Sequence, residues 1–450
     1  MSDRFDVVSS VGLRKDGQVV GWVINHPIGP QMLCFTTSFM RRDLARRGAI
    51  FPLYVASIER LKGTGVTCTF VTSSQFASMV RFVLRRCAPF ISFCGETRGV
   101  SRRLVDGTPA TPPSLTHPIE IIDNFEDRSR WDAFVEAHSS GHFFQSWTWG
   151  EMQRGLGARP RRFAVVSNGQ ICGALQMLVF QGATRPFAVV PRGPVADPDD
   201  VAVVQALLAA AREAGRSEGT FLLRVEPQWE WSATHVAMME ACGFVSAKQW
   251  IMPRRTLLVD LRPATEAIWA GFKSNTRNRV RLAEKLGVDV RVATDAGIPI
   301  FEQLFEQMSA RHGLRQAARE TFGLAAKAYA RTDTMRLYLA RSRDDGVDIS
   351  GIIVFVAGRT ATYLWGASSD AESARKLNPN QLLHWTAMQW AKSQRCETYD
   401  TFGIPDHDRD VLEAEYARQH GGMWNLYRFK RGFGGTVVRH LGTFDHVYRS

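Results

Sequence analysis

The segment Tyr427-Arg428-Phe429-Lys430-Arg431 runs directly into a glycine-rich turn at Gly432, Gly434 and Gly435. A fixed ammonium beside a carbonyl under attack can stabilise the developing oxyanion, and one preorganised donor of this kind is worth roughly 3 kcal/mol. Lys430 is the candidate for that task. A surface-facing lysine on an amphipathic strand is the other reading of the same residues. Residues 424–440 hold Arg428, Lys430, Arg431 and Arg439 and no acid. A second basic run, residues 273–285, holds Lys273, Arg277, Arg279, Arg281 and Lys285 against Glu284 alone. The spacing predicts a helix there, with Arg277 and Arg281 four apart on one face with Lys273 and Lys285. Both clusters suit phosphate contacts, and either suits a solvated face.

Two carboxylates sit at the ends of predicted apolar strands, where functional groups collect. Glu226 lies in Arg224-Val225-Glu226-Pro227 and can take a proton or pair with a neighbouring arginine. Asp400 follows Tyr399 and can act chemically or cap the next turn. Tyr363 and Trp365, two apart on a predicted strand, are expected to share a face. Trp147 and Trp149 suit core packing as well as ligand contact. The sequence has no G-x-G-x-x-G and no G-x-x-x-x-G-K-[ST], so dinucleotide and P-loop chemistry is not expected. No H-E-x-x-H occurs, and neither a metal nor a cofactor is expected.

The elements that must hold these residues follow from periodicity. Arg162–Gln176 and Arg336–Val354 each read as a strand, a turn containing Gly, and a second strand: a β-hairpin, repeated again at Gly12–Ile24. Strands are expected at Pro186–Val190, Thr220–Val225, Ala361–Gly366 and Thr398–Phe402, and helices at Val201–Ala214, His235–Cys242 and Asn380–Ser393. In the N-terminal part the pattern gives a helix at Leu44–Leu61, a strand at Cys68–Thr72 and a helix at Gln75–Cys87. Paired strands followed by helix, strand and helix imply an α+β fold with mixed sheets flanked by helices. The Pro-rich stretch 106–118 reads as a linker, giving a basic domain over 1–105 and two further domains over 119–260 and 261–450.

The chain has 450 residues and a net charge of +12, and its 45% hydrophobic content excludes a mostly disordered chain. Residues 1–118 alone carry fifteen Lys and Arg against seven Asp and Glu, which favours a polyanionic partner. Seven cysteines without a C-x-x-C suit reduced thiols. The N-terminus has no signal-peptide core and no run of 18 apolar residues occurs, so a cytoplasmic protein is expected.

Several segments, in order, resemble the FemABX family of aminoacyl-tRNA-dependent peptidyltransferases, which contain tandem GNAT-fold domains: FFQSWTWGEMQRGLG at 143–157, LLRVEPQ at 222–228, KSNTRNRVRLAEKLGV at 273–288, NQLLHWTAMQWAKSQRCETYDTFGIP at 380–405, LYRFKRGFGG at 426–435 and LGTFDHV at 441–447. The resemblance covers residues 119–450. It implies transfer of an amino acid from the 3′ ester of a charged tRNA to an acceptor amine, without ATP or metal. The acceptor would be a peptidoglycan precursor or a small amine or peptide of antibiotic biosynthesis; only a lipid-linked acceptor would call for peripheral membrane contact. Phe429 and Lys430 would lie at the tRNA acceptor end, with Phe429 positioning Lys430. Arg428, Arg431 and the 273–285 cluster would contact tRNA. Glu226 would lie near the acceptor, which Gln145, Trp149, Arg154, Arg224, Tyr363 and Asp400 would help to bind. Peptidoglycan-directed relatives have a basic residue where this sequence has Gln153, next to Arg154. The N-terminal segment resembles the later part of another GNAT domain, but Ala45, Gly48 and Ile50 depart from the acetyl-CoA pyrophosphate turn. An acyl-CoA-dependent N-acyltransferase and a non-catalytic RNA-binding protein are the rival readings.

Overall fold

The computed structural model describes residues 119–182, 184–247, 249, 251–312 and 320–448, together with four strands of the N-terminal part. The helices expected at 44–61 and 75–87, the turn at 45–50 and the linker at 106–118 lie outside the described residues. The chain divides into two compact units, Met1–Ala110 and Thr111–Ser450. In the first, strands β1 (Asp6–Lys15), β2 (Gln18–Gly29), β3 (Met32–Met40) and β4 (Thr67–Phe70) form one sheet in that order. β1, β2 and β3 pair antiparallel, and β4 joins β3 in parallel.

The second unit contains two seven-stranded sheets. The first runs β10 (Val245–Ser246), β18 (Phe444–Val447), β9 (Leu222–Glu226), β8 (Phe187–Pro191), β7 (Gln170–Phe180), β6 (Arg159–Ser167) and β5 (Glu120–Asp123). The second runs β17 (Thr436–Arg439), β11 (Arg255–Asp260), β16 (Thr398–Asp400), β15 (Thr360–Ser368), β14 (Asp348–Ala357), β13 (Met335–Ser342) and β12 (Val288–Val292). The two orders match strand for strand, including the one parallel pair in each, β8 with β9 and β15 with β16. The expected hairpins are β6–β7 and β13–β14. Asn168 and Gly169 both have positive φ in the first, as a type I′ turn requires.

Neither sheet is continuous in sequence. β18, almost at the C-terminus, inserts between β10 and β9 of the first sheet, while β11 inserts between β17 and β16 of the second. The helix Val201–Ser217 starts where Asp200 caps the amide of Val203, and it buries Val204, Leu207, Leu208 and Ala211, the face the periodicity selects, against the first sheet. The helix Pro379–Ser393 buries Leu383, Ala387, Trp390 and Ala391 against the second. A third, aromatic core joins the two halves through Phe143, Phe144, Trp149, Phe301, Phe322 and Phe355. No helix among the described residues is long and apolar enough to cross a membrane.

The inserted strand makes a test. Phe444 is 1% exposed in the core of the first sheet. Phe444→Ala should cost about 3 kcal/mol in urea unfolding. Amide exchange should quicken first at Leu222–Glu226, its direct neighbours, although they lie more than two hundred residues away in sequence. A loss confined to the second sheet would contradict this topology.

Candidate active site

Lys430 is the last residue of the helix Gly422–Lys430, and it is buried. The solvent-facing strand reading of this segment therefore fails: the residues are helical, and Tyr427 and Lys430, three apart, share the inward face. The Lys430 ammonium donates to the carbonyls of Phe402 at 2.5 Å and Gly403 at 2.7 Å. An ammonium has three donors, so one remains. Phe402 adopts φ +57°, an uncommon conformation for a bulky side chain, in the turn that presents both carbonyls to Lys430.

Asp400, at the end of β16, accepts from Phe402 N at 2.7 Å and from the hydroxyl of Thr256 on β11. It both caps the turn and places a carboxylate near Lys430. Burial lowers the Lys430 pKa to about 7, partly opposed by the charge of Asp400. Burial raises that of Asp400, opposed by Thr256, Phe402 N and the nearby Arg192 and Lys430. The walls around the lysine are aromatic. The Tyr363 ring lies 5.7 Å from the ammonium, and His384 packs edge-on against Tyr363 and Phe429. His384 bonds Tyr399 OH at 3.0 Å, and burial together with Lys430 pushes its pKa down to about 3, so it is neutral.

The first half contains a related strand-end carboxylate. Glu226, 1% exposed, accepts from Thr443 Oγ1 at 2.9 Å and from the amides of Ile251 and Met252 at 3.0 and 3.1 Å, all on Oε1. Its Oε2 has no protein partner. Thr443 adjoins β18 as Thr256 lies on β11, so each carboxylate is held by a threonine on or next to the inserted strand. The helix Ala233–Ala241, which precedes β10 as Gly422–Lys430 precedes β17, buries Met238 and Met239 instead of an amine. Among the described residues, only the second half holds a buried lysine at such a site.

The two basic clusters meet at one turn. Lys273 N donates to Gly432 O at 2.8 Å, and a side chain at position 432 would collide with Thr276. Lys273 and Arg431 line a small cleft with Arg409 and Glu413. The expected helix is Ser274–Lys285; it buries Thr276, Val280 and Ala283 and exposes Lys273, Arg279, Arg281 and Lys285. Arg277 is half-buried and ties to the carbonyls of Ala270 and Phe272. Arg428 donates to the carbonyls of Tyr416 and Gln419, and Arg431 pairs with Glu413 and lies over the Tyr416 ring. Both are committed to internal contacts.

Of the acceptor candidates, Tyr363 and Asp400 meet beside Lys430, and the others lie apart from it. Gln145 is fully buried and bonds Pro191 O at 2.7 Å and Gln176 N at 2.7 Å, stitching β7 to β8. Trp149 packs in the aromatic core. Arg154 is exposed and paired with Glu151. Arg224 forms a two-pronged ion pair with Asp445 on β18, at 2.7 and 2.8 Å, not with Glu226. The expectation that Tyr363 and Trp365 share a face fails, because the register of β14 with β15 shifts between Ile353↔Trp365 and Val354↔Tyr363. This bulge inserts a residue and breaks the period of two. Tyr363 joins the Lys430 side, and Trp365 joins the aromatic core with Trp149. Sequence reasoning missed His384, Thr256 and Arg192; the sign available for Arg192 was a lone charge inside the apolar run Val189–Val195.

These two sheets, each built on a hairpin and one parallel strand pair, define tandem GNAT-type acyltransferase halves. A GNAT acetyltransferase domain model matches residues 270–431. The FemAB family model matches residues 127–342, a little under half of the chain. Two similar relatives are the Lipid II:glycine glycyltransferases of Staphylococcus epidermidis, 26% identical over 386 residues, and Staphylococcus aureus, 25% identical over 391 residues; each alignment covers 70% of this chain and 90% of the relative. The crystal structure of FemX matches with a TM-score of 0.63 at 22% identity, over 73% of this chain and 97% of that one.

The depressed Lys430 pKa makes a stability prediction. The unfolded chain keeps this proton up to about 10.5, whereas the folded chain loses it near 7. The unfolded state therefore binds more protons between these values, and stability rises with pH there, by up to about 1.4 kcal/mol per pH unit from this group. Lys430→Met should abolish that increment. Urea unfolding of both proteins from pH 6.5 to 9 measures the difference; parallel curves would rule out the shift.

Proposed function

We propose that this protein moves an amino acid from the 3′ ester of an aminoacyl-tRNA to an amine of a peptidoglycan precursor, forming an amide. The observation that carries this reading is Lys430, a buried amine with one donor unspent, in a helix whose next turn meets the N-terminal end of the basic helix Ser274–Lys285. The Lipid II glycyltransferases among the relatives support the acceptor class. The reaction needs no energy source, because an ester becomes an amide.

The uncharged acceptor nitrogen attacks the ester carbon, and the carbonyl oxygen takes on negative charge. The free N–H of the Lys430 ammonium meets that oxygen, in a buried site where such a donor counts most. Collapse re-forms the carbonyl, breaks the ester C–O bond and expels the 3′ oxygen of the tRNA, while the new C–N bond remains. The nitrogen loses one proton and the 3′ oxygen gains one. With a pKa near 7, Lys430 can give its proton to the leaving oxygen and regain one from the nitrogen. Glu226, with Oε1 saturated and a buried, unpaired Oε2, suits the orienting of the incoming amine through bound water. Phe429 packs against His384 and fixes the wall beside the lysine. Lys273, Arg279, Arg281 and Lys285 serve the tRNA phosphates.

Transfer is measured with tRNA charged with radiolabelled amino acids and a mixture of lipid-linked and nucleotide-linked peptidoglycan precursors, following label into a base-stable amide. Lys430→Ala should lower turnover by about 10²- to 10³-fold with tRNA affinity little changed; unchanged turnover would remove the lysine from the chemistry. The Arg279→Ala, Arg281→Ala double variant should weaken tRNA binding and flatten its salt dependence by about 1.5 to 2 logarithmic units per decade. An unaltered slope would place the tRNA elsewhere. Absence of transfer, with acetyl-CoA binding instead, would favour the acyl-CoA reading.

A further inference from the structure

Arg192 is 2% exposed, directly after β8, with φ +53°. Glycine adopts that backbone conformation far more readily, so an arginine here is held against strain by its surroundings. Its Nη2 donates to Pro253 O at 3.0 Å. Pro253 follows Ile251 and Met252, whose amides hold Glu226. The same guanidinium lies 5.7 Å from the ring of Phe402, the residue whose amide holds Asp400 and whose carbonyl holds Lys430. One side chain thus touches the segments that fix both carboxylates and the lysine.

Four buried polar atoms around it have no protein partner: Arg192 Nε, Glu226 Oε2, His142 Nε2 and His440 Nε2. The tautomers follow from the other ring nitrogens. Phe144 N donates to His142 Nδ1 at 3.3 Å, so His142 Nε2 carries the hydrogen. His440 Nδ1 faces Gln228 O at 3.0 Å and must donate, so its Nε2 accepts. Both rings are neutral, because burial and the Arg192 charge depress their pKa values. The four atoms are therefore two donors and two acceptors, the complement of ordered water.

We propose that Arg192 is a positioning residue: through water held with His142, His440 and Glu226, it joins the Glu226 site of the first half to the Asp400–Lys430 site of the second and sets a fixed positive charge near both carboxylates. The charged and titratable groups facing this network are Glu226, Asp400, His142 and His440 around Arg192, and Lys430, with His384 and Tyr363, beyond Asp400. The activity arm of the test rests on the transfer reaction proposed above; the spectroscopic and crystallographic arms do not.

Arg192→Lys and Arg192→Met share the same backbone demand, so they differ in charge. Removing the cation raises carboxylate pKa values. Arg192→Met should therefore move the acid limb of the transfer pH profile upward by about one unit, and Arg192→Lys should restore it. In protein labelled with carbon-13 at Asp and Glu carboxyls, a buried carboxyl signal should titrate higher in the Met variant than in the Lys variant. A rate loss equal at every pH, no rescue by lysine and unmoved carboxyl titrations would overturn the proposal. Wild-type protein inactive in transfer, with the carboxyl shift intact, would reject the proposed reaction and leave the Arg192 network standing. If Arg192→Met does not fold, the wild-type protein decides: a crystal structure near 1.5 Å should show water bonded to Arg192 Nε and Glu226 Oε2, and the absence of water at both atoms would overturn the network.

Discussion

The site depends on an amine taken out of water and set on two backbone carbonyls. A buried lysine is costly in its charged form, and the fold meets that cost with Phe402 O, Gly403 O and the nearby carboxylate of Asp400. Those groups lie together because β16 ends at Asp400 and the chain turns sharply through a strained Phe402. Asp400 is held in turn by Thr256, which belongs to β11, outside the run of chain that forms most of the second sheet. Loss of any of these contacts takes a partner from a buried charge, a change proteins tolerate poorly.

The exchange of inserted strands explains why the two halves form one compact unit. β11 completes the sheet of the second half and β18 completes that of the first. Each brings or adjoins a threonine that fixes a strand-end carboxylate, Thr256 on Asp400 and Thr443 on Glu226. The halves diverge at the helix before the outermost strand, with methionines in one and Lys430 in the other. A duplicated scaffold with a single amine suits a reaction in which two substrates play unequal parts.

The basic surface divides in the same way. Arg428 and Arg431 bind loop carbonyls and Glu413, so they build the turn beside Lys430. Arg279, Arg281 and Lys285 stay exposed because Thr276, Val280 and Ala283 supply the inward face of their helix. Charge count made these clusters look equivalent, and burial separates them.

The sequence by itself determined the local elements. Strict alternation marks the hairpins around residues 168 and 346, the 3.6-residue period marks the faces of Val201–Ser217 and Pro379–Ser393, and the ordered motifs mark Lys430, Glu226, Asp400 and the helix of residues 274–285. These are properties of neighbouring residues, set by backbone geometry and side-chain period. The tertiary structure alone decided which strands complete which sheet, because pairing across more than two hundred residues leaves no local period. It alone put Tyr363 and Trp365 on opposite faces, since a bulge arises from register against a partner strand. It turned Gln145 into a strut and paired Arg224 with Asp445. It also placed Arg192, an isolated arginine in the sequence, between two carboxylates that lie far apart along the chain. Burial and charge proximity are sums over distant segments, and only the folded chain performs that sum.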